Sequence, residues 1–158
     1  MLRVLPVVLT LLALPAWAQG TGVGFGRGDF DRAAPVEVAA ETLEVDQVTG
    51  RAVLSGDVVI VQGDLRLSAQ EVVVNYADAD GDRRIERLDA AGDVLIVAGE
   101  DAAQGQSATY VLGTSQVLLT GDVVVTQGGA TLAGDRLAID LGTGAGTVSG
   151  RVRTTLQP

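Results

Sequence analysis

The sequence predicts a single all-β domain built from roughly a dozen short strands. From Val36 onward, apolar residues alternate with polar or small ones, as in Val36-Glu37-Val38 and in Leu137 to Leu141. Because side chains alternate between the two faces of a strand, each such run predicts a strand with one buried face. Pairs of Gly and Asp, which are common in β-turns, separate the runs. The length of 158 residues is enough for one domain with a sizeable core, and the 3% aromatic content makes that core aliphatic.

Residues 1–18 have the pattern of a cleavable secretory signal. A positive start at Arg3 precedes an apolar run from Val4 to Leu14, and Ala16-Trp17-Ala18 has small residues at its first and third positions. The run is shorter than the ~20 residues that a membrane-spanning helix needs. We therefore expect cleavage after Ala18 and export of the mature chain to the periplasm.

Residues 19–34 form a Gly-rich arm in front of the β domain. Glycines at positions 20, 22, 24, 26 and 28 leave little side chain to pack, so we expect the arm to be flexible. Phe25 and Phe30 are the two Phe residues of the chain, and both lie in the arm. They can enter the core only if the arm folds back onto the domain, which we expect to comprise residues 35–158.

The composition excludes most catalytic chemistry. The sequence contains no Lys, His or Cys, so it offers no imidazole base, thiolate nucleophile, Schiff-base amine or disulfide. Ordinary zinc sites are excluded for the same reason, and the acidic run Asp78 to Asp82 lacks the Gly and Glu spacing of a calcium loop. The net charge of −9 argues against nucleic acid as a partner. We expect no enzyme activity, no cofactor and no metal site.

An internal repeat defines the faces of the strands. Residues 54–76 align without a gap on residues 119–141, and a partial third copy begins at Gly92. We interpret the unit as a strand, a Gly turn and two further strands, with turns at Ser55-Gly56-Asp57 and Gly92-Asp93 among others. Arg66 and Ser68 are predicted to face outward. The predicted inward residues are Val58, Ile60, Leu65, Leu67, Ala69, Val72, Val74, Tyr76, Val123, Val125, Ala130, Leu132, Leu137, Ile139 and Leu141.

The order of the motifs resembles one known family. An early Pro-Val-x-Val strand at Pro35 to Val38 is followed by LSGDVVIVQG at Leu54 to Gly63 and by LxLxAxxVxV at Leu65 to Val74. GDVVVTQG at Gly121 to Gly128 and a closing GRVRTT from Gly150 complete the series. Together with the leader and the domain length, this order is similar to the LptA/OstA-like family of periplasmic lipopolysaccharide-transport proteins.

The resemblance implies a fold, a function and a set of partners. It implies an open antiparallel β-jellyroll whose two sheets enclose a lipid-sized groove. It also implies that such domains stack end to end between an inner-membrane complex with an anchored relative and an outer-membrane translocon. It also implies that lipid contacts Val36 and Val38 in the first strand and Tyr110 and Leu112 on a later one. The candidate groove residues are therefore Val36, Val38, Val58, Ile60, Leu65, Leu67, Tyr76, Tyr110 and Leu112.

Two physical features of the sequence bear on that function. A lining of Val, Leu, Ile and Ala with few rings is expected to leave an unfilled apolar trough, into which acyl chains partition by the hydrophobic effect. The first strand, Val36 to Glu41, and the last, Thr147 to Leu156, are expected to be edges available for strand addition.

Two alternatives remain open from the sequence. Arg83, Arg84 and Arg87 could contact lipid phosphates, although the acidic residues around them favour a solvated hairpin flank.

The alternative function is that of a structural or polysaccharide-binding β protein of the cell envelope. The shortage of aromatic residues disfavours it, because sugar sites commonly present exposed rings.

Overall fold

The computed structural model describes residues 20–26 and 30–157, and this part of the chain folds into eleven strands. The predicted signal, residues 1–18, and residues 27–29 of the predicted arm lie outside the described residues. Over the described ranges, no helix is long and apolar enough to cross a membrane. The strands are β1 (Thr21–Gly24), β2 (Val36–Ala39), β3 (Thr42–Asp46), β4 (Arg51–Gln62), β5 (Leu65–Ala79), β6 (Asp82–Ala98), β7 (Asp101–Val111), β8 (Gln116–Gln127), β9 (Ala130–Asp140), β10 (Ala145–Ser149) and β11 (Arg153–Leu156).

All the strands belong to one antiparallel sheet that is not closed into a barrel. From β4 to β10 each strand pairs with the next along the chain, while β2 and β3 both pair with β4, and β11 pairs with β9. β1 departs from chain order, because it pairs with β10 at the far end of the sheet. The predicted all-β, open antiparallel fold is confirmed.

The sheet folds over into two layers, because its long strands bend in the middle. Every ladder pair joins residues of the same layer. The first layer contains residues 36–39, 58–69, 94–105, 123–134 and 153–156. The second layer contains residues 21–24, 42–55, 71–91, 107–120 and 136–149.

A row of β-bulges produces the bends, and we call this row the crease. The ladder register shifts at Gly56-Asp57, Gly92-Asp93 and Gly121-Asp122, where two residues of one strand oppose a single residue of a neighbour, such as Gln106. The glycines have φ of 80°, 82° and 83°, and the aspartates that follow have φ of 43°, 46° and 45°. Consecutive residues in the left-handed region turn the strand sharply, and glycine adopts this region without a Cβ penalty.

The crease corrects the turns predicted at Ser55-Gly56-Asp57 and Gly92-Asp93, which were wrong. These residues lie inside β4 and β6, so strands expected to be separate are single bent strands of 12 and 17 residues. The physical reason is that Gly-Asp supplies left-handed backbone to a turn and to a bulge alike. Gly63-Asp64 and Gly128-Gly129, by contrast, are turns that connect strands.

The core lies between the two layers, and its side chains come from the face predicted to be inward. Val58, Val72, Leu119, Val125 and Leu137 are fully buried. Arg66, between two buried leucines, is exposed, as the alternation requires. Among the residues predicted to face inward, Ala130 and Tyr76 are only partly buried.

The N-terminal arm departs from the expectation of a flexible segment. Thr21–Gly24 form β1 along the edge of β10, with Val23 opposite Gly146. Phe25 is 1% exposed, and Phe30 packs against the same core. The arm does fold back, because burying two aromatic rings offsets the cost of ordering a Gly-rich backbone.

Candidate functional site

The apolar interior between the layers is the candidate site, and it contains most of the predicted groove residues. Val58, Ile60, Leu65 and Leu67 come from β4 and β5 of the first layer and are buried. Tyr110 comes from β7 of the second layer and is also buried. The fold therefore places these predicted residues around one apolar volume.

The remaining predicted groove residues lie at the margins of this interior. Tyr76 and Leu112 belong to the second layer and are partly buried against the core. Val36 is partly buried, and Val38 is 42% exposed because β2 is an edge strand. Val38 is opposite Ile60 in the ladder, so it does belong to the inner face.

The structure corrects the expectation of an unfilled trough. Val58, Val72, Leu119, Val123 and Val125 are between 0% and 1% exposed, so no space large enough for water adjoins them. Small aliphatic side chains from the two layers interdigitate and fill the interior, as they do in ordinary protein cores. A guest molecule must therefore separate the layers or displace side chains.

We call the side of the sandwich opposite the crease the mouth, because free space is found there. A cavity of about 450 Å³ lies there, within the size range of small-molecule sites. Turns of the two layers face each other at the mouth: Gly63-Asp64 and Gly99 line the cavity from the first layer, and Leu141 lines it from the second. Phe25 and Phe30 of the arm complete its wall.

A polar contact joins the two layers beside this cavity. The Tyr110 hydroxyl donates a hydrogen bond to Oε1 of Gln62 at 3.0 Å, and both side chains are buried. The ring of Phe30 meets the ring of Tyr110 edge to face, with centroids 6.5 Å apart. Burial raises the pKa of Tyr110 to about 12, although the positive charge of Arg32 acts in the opposite direction.

One end of the sandwich exposes apolar side chains of the inner face. Leu43 and Val45 in β3 are each 60% exposed, although their ladder partners Leu54 and Ala52 are buried. With Val38 in β2, they form a patch that we call the bare end. Single exposed apolar residues are ordinary, but a contiguous group continuous with the core indicates an interaction surface.

At the opposite end of the sandwich, β1 lies along β10 in the second layer. Val148 in β10 is 0% exposed beneath the arm, and Val23 of β1 packs against the core. The predicted last strand, Thr147 to Leu156, is two strands in the structure. β10 has β9 on one side and β1 on the other, whereas β11 pairs with β9 alone within the described residues. At this end of the described chain, the open edges are therefore β1 in the second layer and β11, with exposed Leu156, in the first.

Sequence reasoning missed Phe25, Phe30 and Gln62 as residues of the site. The signal for the Phe residues was their presence in a chain with so few rings, since an aromatic side chain in a Gly-rich segment has a strong tendency to find a core. Nothing in the local sequence distinguished Gln62, because its role depends on a partner 48 residues away.

The three clustered arginines lie on the hairpin of β5 and β6 at the protein surface. Nε of Arg83 lies 3.6 Å from Oδ1 of Asp78, and Nη2 of Arg84 lies 3.9 Å from Oδ2 of Asp82. Nε of Arg87 lies 2.9 Å from Oδ2 of Asp89. The predominance of nearby carboxylates favours the solvated flank over a phosphate site.

Comparisons with known proteins show what the chain is similar to. Residues 37–145 match the family described as LptA/(LptD N-terminal domain) LPS transport protein. The lipopolysaccharide export system protein LptH of Pseudomonas aeruginosa is 31% identical over 117 residues, which is 70% of this chain and 65% of that protein. A protein of Rhizobium meliloti (strain 1021), itself uncharacterised, is 27% identical over 158 residues, covering 94% of this chain and 85% of that protein.

A solved structure extends the similarity to three dimensions. The crystal structure of LptH superposes with a TM-score of 0.71 and 25% sequence identity, covering 81% of this chain and 99% of that one. LptH is described as the LptA homologous periplasmic component of the conserved lipopolysaccharide transport device of Pseudomonas aeruginosa.

Proposed function

Because this chain belongs to the LptA/(LptD N-terminal domain) family of lipopolysaccharide-transport proteins, we propose that it binds lipopolysaccharide in the periplasm and passes it between the inner-membrane complex and the outer-membrane translocon. Members of this family transport lipid and are not enzymes, in agreement with the sequence expectation. The acyl chains of lipid A are held between the two layers, and the sugar headgroup remains in water.

The observation that carries this proposal is the aliphatic interior bounded by a mouth. Burying one CH₂ group contributes about 0.8 kcal/mol, so an acyl chain of about a dozen carbons gains on the order of 10 kcal/mol in such an interior. No ladder hydrogen bond crosses from one layer to the other in the described chain. Separating the layers at the mouth therefore breaks side-chain contacts such as Tyr110 to Gln62, while the continuous backbone at the crease keeps the layers joined.

End-to-end contact between copies and with related partners is supported by the edges of the sheet. At the bare end, β2 and β3 pair with β4 on one side only within the described chain. Unpaired backbone donors and acceptors beside exposed Val38, Leu43 and Val45 provide both hydrogen bonds and apolar contact for strand addition. The same contact with an anchored relative at one membrane and with the translocon at the other makes a bridge.

Periplasmic location is supported by two features. LptH, which shares the fold, is described as periplasmic. Residues 1–18 of this chain have the composition of a cleaved signal, which accounts for export.

A polysaccharide-binding or structural role receives little support from the side chains. The rings of Phe25 and Tyr110 are buried, and those of Phe30 and Tyr76 are partly buried. A sugar site needs rings that lie flat in solvent, and the described residues provide none.

Photo-crosslinking to lipid A tests the proposal at neighbouring positions of opposite orientation. A photoreactive amino acid is placed at Val36 or Leu112, which are partly buried at the margin of the interior, and at exposed Glu37 or Arg66 as matched controls. The inner positions are expected to label lipid A and the outer positions are not. Equal labelling at all four positions, or none at any, would contradict a lipid site between the layers.

A further inference from the structure

The bare end of the sandwich is acidic. Residues 36–49, which contain the edge strands β2 and β3, include four carboxylates and no basic residue. All four are exposed, and none belongs to an ion pair of the described chain. With β4, which pairs with both strands and adds Arg51 and Asp57, this end has five carboxylates and one guanidinium. The acidic residues of residues 36–49 are Glu37, Glu41, Glu44 and Asp46.

The far end, by which we mean β1, β10 and β11, has the opposite charge. Residues 145–157 include Arg151 and Arg153 and no acidic residue, and Thr21–Gly24 of β1 are uncharged. Nη2 of Arg151 lies 2.5 Å from Oδ1 of Asp135, whereas no ion pair of the described chain includes Arg153. With β9, which pairs with β10 and β11, this end has three guanidiniums and two carboxylates. In a protein of net charge −9, the far end is therefore a local excess of positive charge.

The row of the crease ends in charges of opposite sign. In the three bulges of the crease, an Asp follows the left-handed Gly, but at the far end Arg151 follows Gly150, with φ of 47° and 75°. At the bare end, Glu41 adjoins the first bulge, because its amide donates to the carbonyl oxygens of Ser55 and Gly56 at 3.1 Å and 3.0 Å. One end of this row is therefore marked by a carboxylate and the other by a guanidinium.

The outer face of the first layer has the same difference in sign between its ends. Glu37 in β2 projects outward, because the residue that follows it is opposite buried Ile60. Arg153 in β11 projects outward, because the residue that follows it is opposite buried Leu132. Both charged side chains are exposed, each on the edge strand of its end.

Strand addition and apolar contact are available at both ends of the described chain. β2 and β3 are open edges at the bare end, where Val38, Leu43 and Val45 are exposed. β1 and β11 are open edges at the far end, where Leu156 is exposed. No strand has to leave its place for a second copy to add at either end. Because these features are common to both ends, they do not distinguish a bare-to-far contact from a bare-to-bare one.

We infer that the charges of the two ends set the direction of stacking: the bare end of one copy docks on the far end of the next, and two bare ends repel each other. Charges are screened over about 8 Å at physiological salt, so Glu and Arg side chains that meet across a junction are within range. Opposite charges select this contact, and like charges disfavour the wrong one. A bare-to-far contact leaves one free end of each kind, so the row can grow. The inference rests on the stacking proposed above and adds its polarity.

Charge inversion at one end, followed by mixing, tests the role of the charges. E37R/E41R/E44R makes the bare end basic, and R151D/R153E makes the far end acidic. Each variant then has two ends of like charge, so we expect neither to stack alone at concentrations where the unmodified protein forms linear oligomers. An equimolar mixture is expected to stack, because each variant supplies the charge that the other needs. Analytical ultracentrifugation measures the oligomers in each case.

Crosslinking tests the direction of stacking in the otherwise unmodified chain. The sequence has no Cys, and Ala39 in β2 and Thr155 in β11 are exposed at the bare end and the far end. A mixture of A39C and T155C is expected to give crosslinked pairs with a short bifunctional maleimide. A39C alone is expected to give few pairs, because two bare ends do not meet.

Two controls separate the end charges from total charge and from folding. E71R/E86R/E100R makes the same change in net charge at exposed positions of β5, β6 and the turn after β6, and it is expected to stack like the unmodified protein. All the variants are expected to bind labelled lipid A with unchanged affinity. Raising salt from about 50 to about 500 mM is expected to weaken the junction of the unmodified protein about tenfold.

The outcomes separate the polarity from the function on which it rests. Stacking of either end variant alone as readily as the unmodified protein would overturn the inference, and so would a mixture that fails to stack although both variants bind lipid A. A39C pairs as frequent as mixed pairs would overturn the direction. Absence of lipid A binding by the unmodified protein would overturn lipid transport, while leaving the direction of stacking as measured.

Discussion

The side chains of Tyr110 and Gln62 meet across the interior and join the two layers of the sandwich at its mouth. Tyr110 lies in β7 of the second layer, and Gln62 is the last residue of β4 in the first. Their hydrogen bond is 3.0 Å long and buried. A polar bond in an aliphatic interior fixes how the layers align, because each group is costly to bury without the other.

Replacing Tyr110 by Phe is expected to lower the free energy of unfolding by about 1–3 kcal/mol, because the Gln62 oxygen then loses its buried donor. Urea denaturation measures this change. Tyr76→Phe is the control: it removes the same oxygen from a partly buried site and is expected to cost less than about 1 kcal/mol. Equal losses from the two variants would show that the bond to Gln62 is of no special importance.

Alkaline titration provides a second test of the same residue. The folded state raises the pKa of Tyr110 from 10.0 to about 12, since burial favours the neutral phenol. The resulting stabilisation is fully present below pH 10 and is lost as the pH rises from 10 to about 12, because the unfolded chain releases the proton more readily. Near-ultraviolet absorbance of the native protein should show a tyrosine that ionises near pH 12. The signal should be absent from Tyr110→Phe; its persistence in that variant would assign it to another group.

Two glycine substitutions with the same backbone strain are expected to cost different amounts of stability, because only one of them lies in the crease. Gly92 has φ of 82° and Gly81 has φ of 84°, so Ala is strained by about 1–2 kcal/mol at either position. A Cβ at Gly92 also lies 2.8–2.9 Å from side-chain atoms of Gln70, whereas a Cβ at Gly81 meets nothing within 4 Å. We expect Gly92→Ala to reduce stability by about 1 kcal/mol more than Gly81→Ala in thermal or urea unfolding. Indistinguishable unfolding curves would show that the bulge tolerates a side chain.

Charge on the hairpin of β5 and β6 is expected to matter little for lipid binding. Arg83, Arg84 and Arg87 each have a carboxylate within 4 Å, and the protein as a whole carries a net charge of −9. Changing all three to Gln should alter the dissociation constant for lipid A by less than about threefold, and added salt should have a similarly small effect. Fluorescence titration of labelled lipid A measures both. A large loss of affinity in the triple variant would assign these arginines to the lipid phosphates.

The alternation of apolar and polar residues was sufficient to predict which face of each strand is buried, but not where each strand ends. Val58, Ile60, Leu65 and Leu67 have the predicted orientation, because burial of one face and a period of two leave a single consistent assignment. Gly92-Asp93 was assigned to a turn, because local sequence reports left-handed backbone and does not report whether the partner strand continues past it.

The position of the arm and the packing of the interior could not be predicted from local sequence, for a different reason. β1 pairs with a strand more than a hundred residues later, and no periodic signal in four residues reveals such a partner. The volume left between the layers depends on how closely two sheets approach, which the side chains of Val58 and Leu119 alone do not determine. The family resemblance supplied the architecture, while the packing state of the interior required the structure.

Because successive hairpins bend at the same row of bulges, the sandwich is assembled from repeated units of one plan. Tandem duplication or loss of a whole hairpin would therefore lengthen or shorten the molecule without changing the bend of the hairpins that remain.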